Sequence, residues 1–294
     1  MLFADRPLGN PGETAARKAA RNAARTTAIF AATAMLAVVA ALCVGGCGTA
    51  STPTGASTLK VGVRDDITGF GYYNSETQKY YGLEIDIADE LASRLGYSDV
   101  TFATVDPDNR KQMLSDGQVD CLVACYSISD SREENFDFSP SYYDDYSAIM
   151  VENSSLIASI DQLKGLTVGT MSGTNAAPQL VAKLTADGLT SGQPVTANDD
   201  NSDVTFDTFH LLQFDSYEEL SDALEGGKVD AACMDASIAS AYLRDNRSLL
   251  GYKVAEQHYG VATQKDSSLS QPVAQAIQDM LDDGTIASLI DKWD

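Results

Sequence analysis

The sequence is poor in the groups that carry enzyme chemistry. Its 294 residues include two histidines, His210 and His258, and no His-Glu-x-x-His zinc pattern, Gly-x-Ser-x-Gly nucleophile turn or Walker phosphate loop. No partner for His258 is identifiable from spacing, so it is expected to be a structural or hinge residue rather than a base. Cationic side chains are scarce: 20 Lys and Arg stand against 42 Asp and Glu, a net charge of −22. Such a field repels nucleic acid and anionic membrane surfaces and favours solubility. It also repels an acidic ligand, so any anion site must rest on local arginines and backbone N–H groups. Cysteine is sparse as well. Of five, Cys43 and Cys47 lie near the start, leaving Cys121, Cys125 and Cys233. Cys121 and Cys125 fall in one predicted strand, about 13 Å apart, too far for a disulfide. Buried thiols are expected, with no catalytic residue, cofactor or metal. The acidic run Asp199, Asp200, Asn201 and Asp203 does not have the spacing of a calcium loop.

The beginning of the chain reads as an export signal. Arg6, Arg17, Lys18, Arg21 and Arg25 form a basic leader, followed by an apolar run from Ala28 to Val44 broken only by Thr33. A basic region, an apolar core and small residues before a cut site mark secretion. The run is also nearly long enough to span a bilayer as a retained anchor. Val44-Gly45-Gly46-Cys47 resembles the lipobox of bacterial lipoproteins, with Val44 where Leu is commoner. That resemblance implies a signal peptide over 1–46, cleavage before Cys47 and diacylation of Cys47. The protein would then be held on the outer face of a bacterial cell membrane. The Ser/Thr/Gly/Pro-rich sequence after Cys47 favours the lipoprotein reading and predicts a flexible tether over 47–58, the Gly48–Thr58 part reaching roughly 35–40 Å. Without the leader the chain carries a net charge of −25.

Beyond the tether, helical and strand patterns alternate. Leu59 to Val63 predicts a strand. Asp86 is a plausible N-cap for a helix whose apolar face is Ile87, Leu91 and Leu95, ended by Gly96. A helix at Arg110 to Ser115 stops at Gly117, and Val119 to Cys125 reads as a strand buried on both faces. The pattern returns with a strand over Leu166 to Gly169, a helix over Tyr217 to Leu224, Gly227, and a strand over Val229 to Met234. The two helix–Gly–x–Val–Asp–strand units, ending at Asp120 and Asp230, lie 110 residues apart. This is an α/β fold of two similar lobes. Thr185 to Phe209, rich in Thr, Ser, Asn, Asp and Gly, reads as a long loop.

Candidate binding residues cluster at predicted strand ends, where open α/β sheets place ligands. Ala124-Cys125-Tyr126-Ser127-Ile128-Ser129-Asp130-Ser131-Arg132 follows the buried strand. Ser172-Gly173-Thr174-Asn175 opens a predicted helix, and a helix N-terminus with a hydroxyl nearby attracts anions. Asp235 follows the last of these strands. Each has a plainer reading: Arg132 as a surface residue, Thr174 as an N-cap, Asp235 as the cap of a helix from Ala236 to Leu243.

The ordered set of short segments closely resembles the polar amino-acid family of periplasmic-type solute-binding proteins, the receptors of ABC importers. Tyr81-Gly82-Leu83-Glu84-Ile85-Asp86-Ile87-Ala88 is similar to the family's GFDVDLA. Gly117 to Asp120, Ser127 to Arg132, Asp137 to Tyr143, Leu163 to Gly165, Gly173-Thr174, Val229-Asp230, Tyr259-Gly260 and Asp283 to Trp293 follow in order. The resemblance runs from Leu59 to Trp293. It implies a type II fold of two α/β lobes joined by two crossing hinge strands, with lobe 1 at 59–148 plus 258–294 and lobe 2 at 149–257. It implies that Arg132 clamps a ligand α-carboxylate, that Ser127 and Thr174 add hydrogen bonds beside Cys125 and Gly173, and that Asp235 accepts from the α-ammonium. Val63-Arg64-Asp65-Asp66 and Asn109-Arg110 look like the glutamate/aspartate-binding branch, which implies that Arg64 and Arg110 read a side-chain carboxylate. Ile67-Thr68-Gly69 replaces the aromatic-and-proline stretch of many relatives, so Tyr72 or Tyr126 is the candidate for an aromatic wall.

The expected partners are an amino acid, an ABC permease in the membrane and the membrane itself through Cys47. Nucleic acid is excluded and a monomer expected. Competing readings are a glutamine or cystine receptor of the same class, a dehydratase on the same fold, and a sensory or adhesive surface protein without its own transporter.

Overall fold

A computed structural model describes residues 57–294. The signal peptide, Cys47 and all but the last two residues of the tether lie outside the described residues. The first segment comprises β1 (Thr58–Val63), a small antiparallel sheet of β2 (Asp66–Ile67), β3 (Gly71–Asn74) and β4 (Lys79–Tyr81), then α1 (Leu83–Arg94), β5 (Asp99–Thr104), α2 (Arg110–Ser115), β6 (Cys121–Val123), α3 (Asp130–Glu133) and β7 (Phe136–Phe138). The long strand β8 (Tyr143–Glu152) leads out of it. The second segment comprises β9 (Thr167–Met171), α4 (Ala176–Ala186), β10 (Pro194–Ala197), β11 (Asp203–Phe206), β12 (His210–Phe214), α5 (Tyr217–Glu225), β13 (Ala231–Asp235), α6 (Ala236–Tyr242) and β14 (Arg247–Leu249). Strand β15 (Ala255–Tyr259) returns the chain to β16 (Ala262–Gln264), α7 (Ser270–Asp282) and α8 (Thr285–Trp293).

Each lobe has its own sheet. Lobe 1 orders its strands β5-β1-β6-β16-β7, with β1 parallel to β5 and β6, and β16 antiparallel between β6 and β7. Lobe 2 orders its strands β10-β11-β12-β9-β13-β8-β14, with β15 paired to β8. The crossing strands run antiparallel from Ser147 opposite Ala255 to Tyr143 opposite Tyr259. The junctions expected at 148/149 and 257/258 fall inside these two strands.

The sequence repeat is a structural repeat. Gly117 and Gly227 both take φ of +68°, a left-handed turn that only glycine adopts without strain. The aspartate three residues later does the same work in each lobe. Asp120 accepts from the Lys60 N–H of β1 at 2.8 Å, and Asp230 from the Thr167 N–H of β9 at 2.8 Å. Each carboxylate thus aligns the strand that follows a helix with the first parallel strand of its lobe.

Three expectations need correction. Asp86 does not cap α1, whose N-cap position is Gly82; its carboxylate instead accepts from the Trp293 indole (2.6 Å) and Lys292 (2.7 Å) at the end of α8. The strand expected over Val119 to Cys125 is confined to Cys121–Val123, because the backbone turns over at Cys125, with φ of +44°. Thr185–Phe209 is not a structureless loop. It holds β10 and β11, a hairpin that extends the lobe 2 sheet beyond β12. Only Val204 and Phe206 of β11 bury apolar side chains, so the hairpin rests mainly on main-chain pairing, which leaves little hydrophobic signal.

The largest buried cluster joins Val61, Leu91 and Ile277 of lobe 1 to Met171, Phe214 and Met234 of lobe 2 through Tyr142 and Tyr259. The two lobes therefore share one core through the crossing strands. Each fully buried aliphatic side chain contributes about 1.5–3 kcal/mol. Separate clusters, around Leu180 and Val168 in lobe 2 and around Leu114 and Leu122 in lobe 1, fill the remaining layers.

Candidate functional site

Lobe 1 supplies the cations. Arg132 sits in the short helix α3, but its side chain folds back into the protein: the residue is 4% exposed, and Nη1 donates to the Ser127 carbonyl at 2.7 Å. The surface reading of Arg132 is thereby overturned. Arg110 opens α2, is 2% exposed, and donates through Nη1 to the Ala124 carbonyl at 2.9 Å. Its Nε has no partner. Both guanidiniums pack on the ring of Tyr126, at 4.3 Å for Arg132 and 4.4 Å for Arg110. Neither forms an ion pair among the described residues. Burial, followed by the Arg110 charge, pulls the Arg132 pKa down to about 10. Burial, followed by the Arg64 charge, lowers that of Arg110. Arg64, directly after β1, differs. It grips Asp66 with two bonds, Nε to Oδ1 at 2.9 Å and Nη2 to Oδ2 at 2.6 Å. Burial opposes its charge, but Asp66, with Tyr217 and Cys125 adding to it, raises its pKa.

The turn that carries these groups is fixed from below. The Cys125 N–H donates to Glu84 Oε1 at 2.6 Å, and the Tyr142 hydroxyl donates to the same oxygen. Glu84 is fully buried and its Oε2 has no partner. Burial raises its pKa against those two hydrogen bonds. The thiols of Cys121, Cys125 and Cys233 are free and buried.

Lobe 2 supplies the acceptor. Asp235 ends β13, and its carboxylate takes hydrogen bonds from Tyr259 (2.6 Å) and Ser147 (2.9 Å), both on the crossing strands. Burial raises its pKa; the Tyr259 bond opposes this and the Asp145 charge adds to it. Asp235 is not a side-chain cap of α6. Asp145 takes that part, accepting from the Ser237 N–H (3.2 Å) and hydroxyl (2.5 Å). Thr174 Oγ1 donates to the Met171 carbonyl (2.8 Å) and accepts from the Ala176 N–H (3.3 Å) at the start of α4. Gly173 has φ of +67°, and a Cβ there would stand 2.5 Å from Asp108 Oδ1 of lobe 1. The Ser172 hydroxyl bonds that same oxygen at 3.3 Å.

Seven of the nine residues expected in a binding site line one cavity between the lobes: Arg64, Arg110, Cys125, Ser127, Arg132, Thr174 and Asp235. Tyr126 lies beneath the two arginines, and Gly173 sits where the lobes meet at Pro107 and Asp108. Tyr72 is exposed on the hairpin, and the aromatic side chain that lines the cavity is Tyr217, 5.9 Å from the Arg64 guanidinium. Asn175, Ala176, Met234 and Gln257 complete the lining. Asn175 and Ala176 continue the Thr174 segment. Tyr217 opens α5 just after β12, a strand-end position that sequence could have offered. Gln257 reads as an ordinary strand residue. His258 lies on the crossing strand with Nδ1 2.7 Å from Asp144 Oδ1, away from this cavity.

Three guanidiniums thus converge on one cavity with the Asp235 carboxylate, while Asp66, outside the lining, already neutralises Arg64. Among the described residues no group of His, Cys, Asp and Glu is arranged to hold a metal ion. The arrangement suits a small molecule that is anionic at one end and carries a hydrogen-bond donor facing Asp235.

Comparison with known proteins agrees with this architecture. The family described as bacterial extracellular solute-binding proteins, family 3, matches residues 59–294. A glutamine-binding ABC transporter protein of Bacillus subtilis (strain 168) is 28% identical over 238 residues, covering 79% of this chain and 79% of that protein. A glutamate-binding protein of Corynebacterium glutamicum is 26% identical over 292 residues, covering 92% and 91%. Among solved structures, an ancestral arginine-binding protein bound to arginine superposes with a TM-score of 0.66 at 28% identity, covering 80% of this chain and 97% of that one. The chain belongs to the family 3 solute-binding proteins, and its fold is the two-lobed α/β fold of periplasmic binding proteins.

Proposed function

We propose that this protein is an extracytoplasmic receptor that binds an acidic amino acid, glutamate or aspartate, between its closing lobes and delivers it to an ABC importer. Family membership supports the receptor class, and relatives named for glutamine, arginine, cystine and glutamate support an amino-acid ligand. The choice among them rests on charge. Arg110 and Arg132 are both buried without a carboxylate partner among the described residues, and they share a cavity with Asp235. An unpaired buried charge is costly, and a ligand that supplies the partner recovers that cost. A zwitterion with a second carboxylate satisfies both arginines and the aspartate. Glutamine leaves one guanidinium facing a neutral amide, and arginine brings a fourth guanidinium among three.

In this reading Arg132 clamps the α-carboxylate as a fork. Ser127 and the main chain at Thr174 add hydrogen bonds, Arg110 reads the side-chain carboxylate, and Asp235 accepts from the α-ammonium. Arg64, held by Asp66, lends positive potential more than a free pair of donors. Because cation and acceptor come from different lobes, the ligand favours the closed state by differential contact. Calorimetry with a panel of amino acids tests the assignment. Glutamate or aspartate is expected near micromolar affinity, about −8 kcal/mol. Tight binding of glutamine, cystine or arginine with no response to either acid would sink the ligand assignment and leave the receptor class standing. The lipid anchor at Cys47 is tested separately, by incorporation of labelled fatty acid that is lost in Cys47→Ala.

A further inference from the structure

Tyr126 holds a position that the ligand contacts alone do not explain. Its ring is fully buried among Phe136 and Phe138 of lobe 1, at centroid distances of 6.3 and 5.4 Å. Arg110 and Arg132 arrive from different helices, and both rest on this ring. Each is anchored by one main-chain carbonyl of the same turn, Arg110 by Ala124 and Arg132 by Ser127, on either side of Tyr126 in sequence. The Tyr126 hydroxyl has no partner, so packing rather than the hydroxyl fixes the ring.

We propose that Tyr126 is a positioning residue that sets the spacing of the Arg110 and Arg132 guanidiniums and so makes the site prefer a ligand with two carboxylates over its mono-amide. The proposal rests on the acidic-amino-acid reading above and assigns the selectivity to a residue that need not touch the ligand. Two guanidiniums side by side repel, and burial removes the water that would screen them. A carboxylate between them would cure the repulsion but would also consume the donors and the charge that the ligand needs. An aromatic face attracts both cations through its quadrupole and carries no net charge. The pair therefore stays in place with its donors and its field left for the ligand.

The test compares the full-length mature protein with Tyr126→Phe and Tyr126→Leu. In the ligand-free protein, the Arg110 and Arg132 Hδ and Nε–H resonances, assigned with Arg110→Lys and Arg132→Lys, are expected to carry ring-current shifts that Tyr126→Phe keeps and Tyr126→Leu loses. Calorimetry then gives the ratio of glutamate to glutamine affinity. That ratio is expected to fall by about tenfold in Tyr126→Leu and to be rescued in Tyr126→Phe. A ratio unchanged in Tyr126→Leu, or equal loss for both ligands, would overturn the proposal, since a merely structural role weakens both alike. Arginine shifts that survive Tyr126→Leu would overturn it even without ligand. A wild-type protein that shows the shifts but does not bind glutamate or aspartate overturns instead the ligand reading of the preceding section.

Discussion

The Tyr259 hydroxyl donates to the Asp235 carboxylate at 2.6 Å while standing 3.3 Å from Asp145. One proton on a crossing strand therefore serves the acid that faces the cavity and lies close to the acid that caps α6. Asp235, the acceptor proposed for a ligand ammonium, is thus tied directly to the two strands that cross between the lobes.

The first prediction concerns that acceptor. Asp235 must be ionised to accept from an ammonium, and burial raises its pKa. Affinity for glutamate should therefore fall as pH drops through a value above the ordinary carboxylate range of about 3.9. Asp235→Asn should weaken binding at pH 7 by about tenfold or more and flatten this acid limb. Calorimetry between pH 4.5 and 8 measures it; an Asn variant that keeps the wild-type pH profile would refute the role.

The second concerns the clamp. Arg132→Ala removes a buried, fork-shaped donor and should reduce affinity at least about a hundredfold. Arg132→Lys restores charge but not the fork and should recover only part of the loss. Unchanged affinity in the Ala variant would exclude ligand contact at this residue.

The third is about stability. Glu84 has its folded-state pKa raised by burial, so the folded protein holds the Glu84 proton more tightly than the unfolded chain does. The cost of ionising it is fully present above the folded-state pKa and is relieved as pH falls toward the unfolded value. Stability from this group thus declines as pH rises through the raised pKa. In Glu84→Gln that part of the slope should vanish, as followed by urea unfolding at a series of pH values. An identical slope in both proteins would show that Glu84 does not titrate in this way.

The fourth concerns closure. In Gly173→Ala the new Cβ would stand 2.5 Å from Asp108 Oδ1 and 2.8 Å from the Pro107 carbonyl carbon, on a backbone with φ of +67°. The lobes cannot then meet as they do here. Affinity should fall about tenfold or more, and small-angle scattering with saturating ligand should show a larger radius than wild type. A variant that closes to the wild-type radius would show that the rim yields.

Much of the frame was legible in sequence because it depends on local rules. Helix, left-handed glycine, aspartate and strand repeat at Gly117–Asp120 and Gly227–Asp230, and the cavity residues Arg132, Thr174 and Asp235 stand at strand or helix ends. What escaped depends on contacts between distant parts of the chain. Arg64 was open to two readings, a ligand contact or a partner for a nearby acid, and only the fold of β2 against β3 selects Asp66, two residues away. Glu84 sits in the first turn of α1, yet it reaches 41 residues along the chain to the Cys125 N–H. Gln257 enters the cavity only because β15 crosses between the lobes. The β10–β11 hairpin was hidden by its own composition, since an edge pair held by main-chain bonds needs few apolar residues.

The place of β16 between β6 and β7 governs the order in which the molecule can be assembled. Lobe 2 is one continuous stretch, and every strand of its sheet from β10 to β14 is present once residue 249 has been made, with β15 added shortly after. Lobe 1 differs: its sheet keeps a gap one strand wide until residues 262–264 arrive, and α1 gains its Asp86 contacts only with Lys292 and Trp293 at the very end. Folding should thus finish in the lobe where it started, with β1, β5 and β6 waiting for β16 and α8.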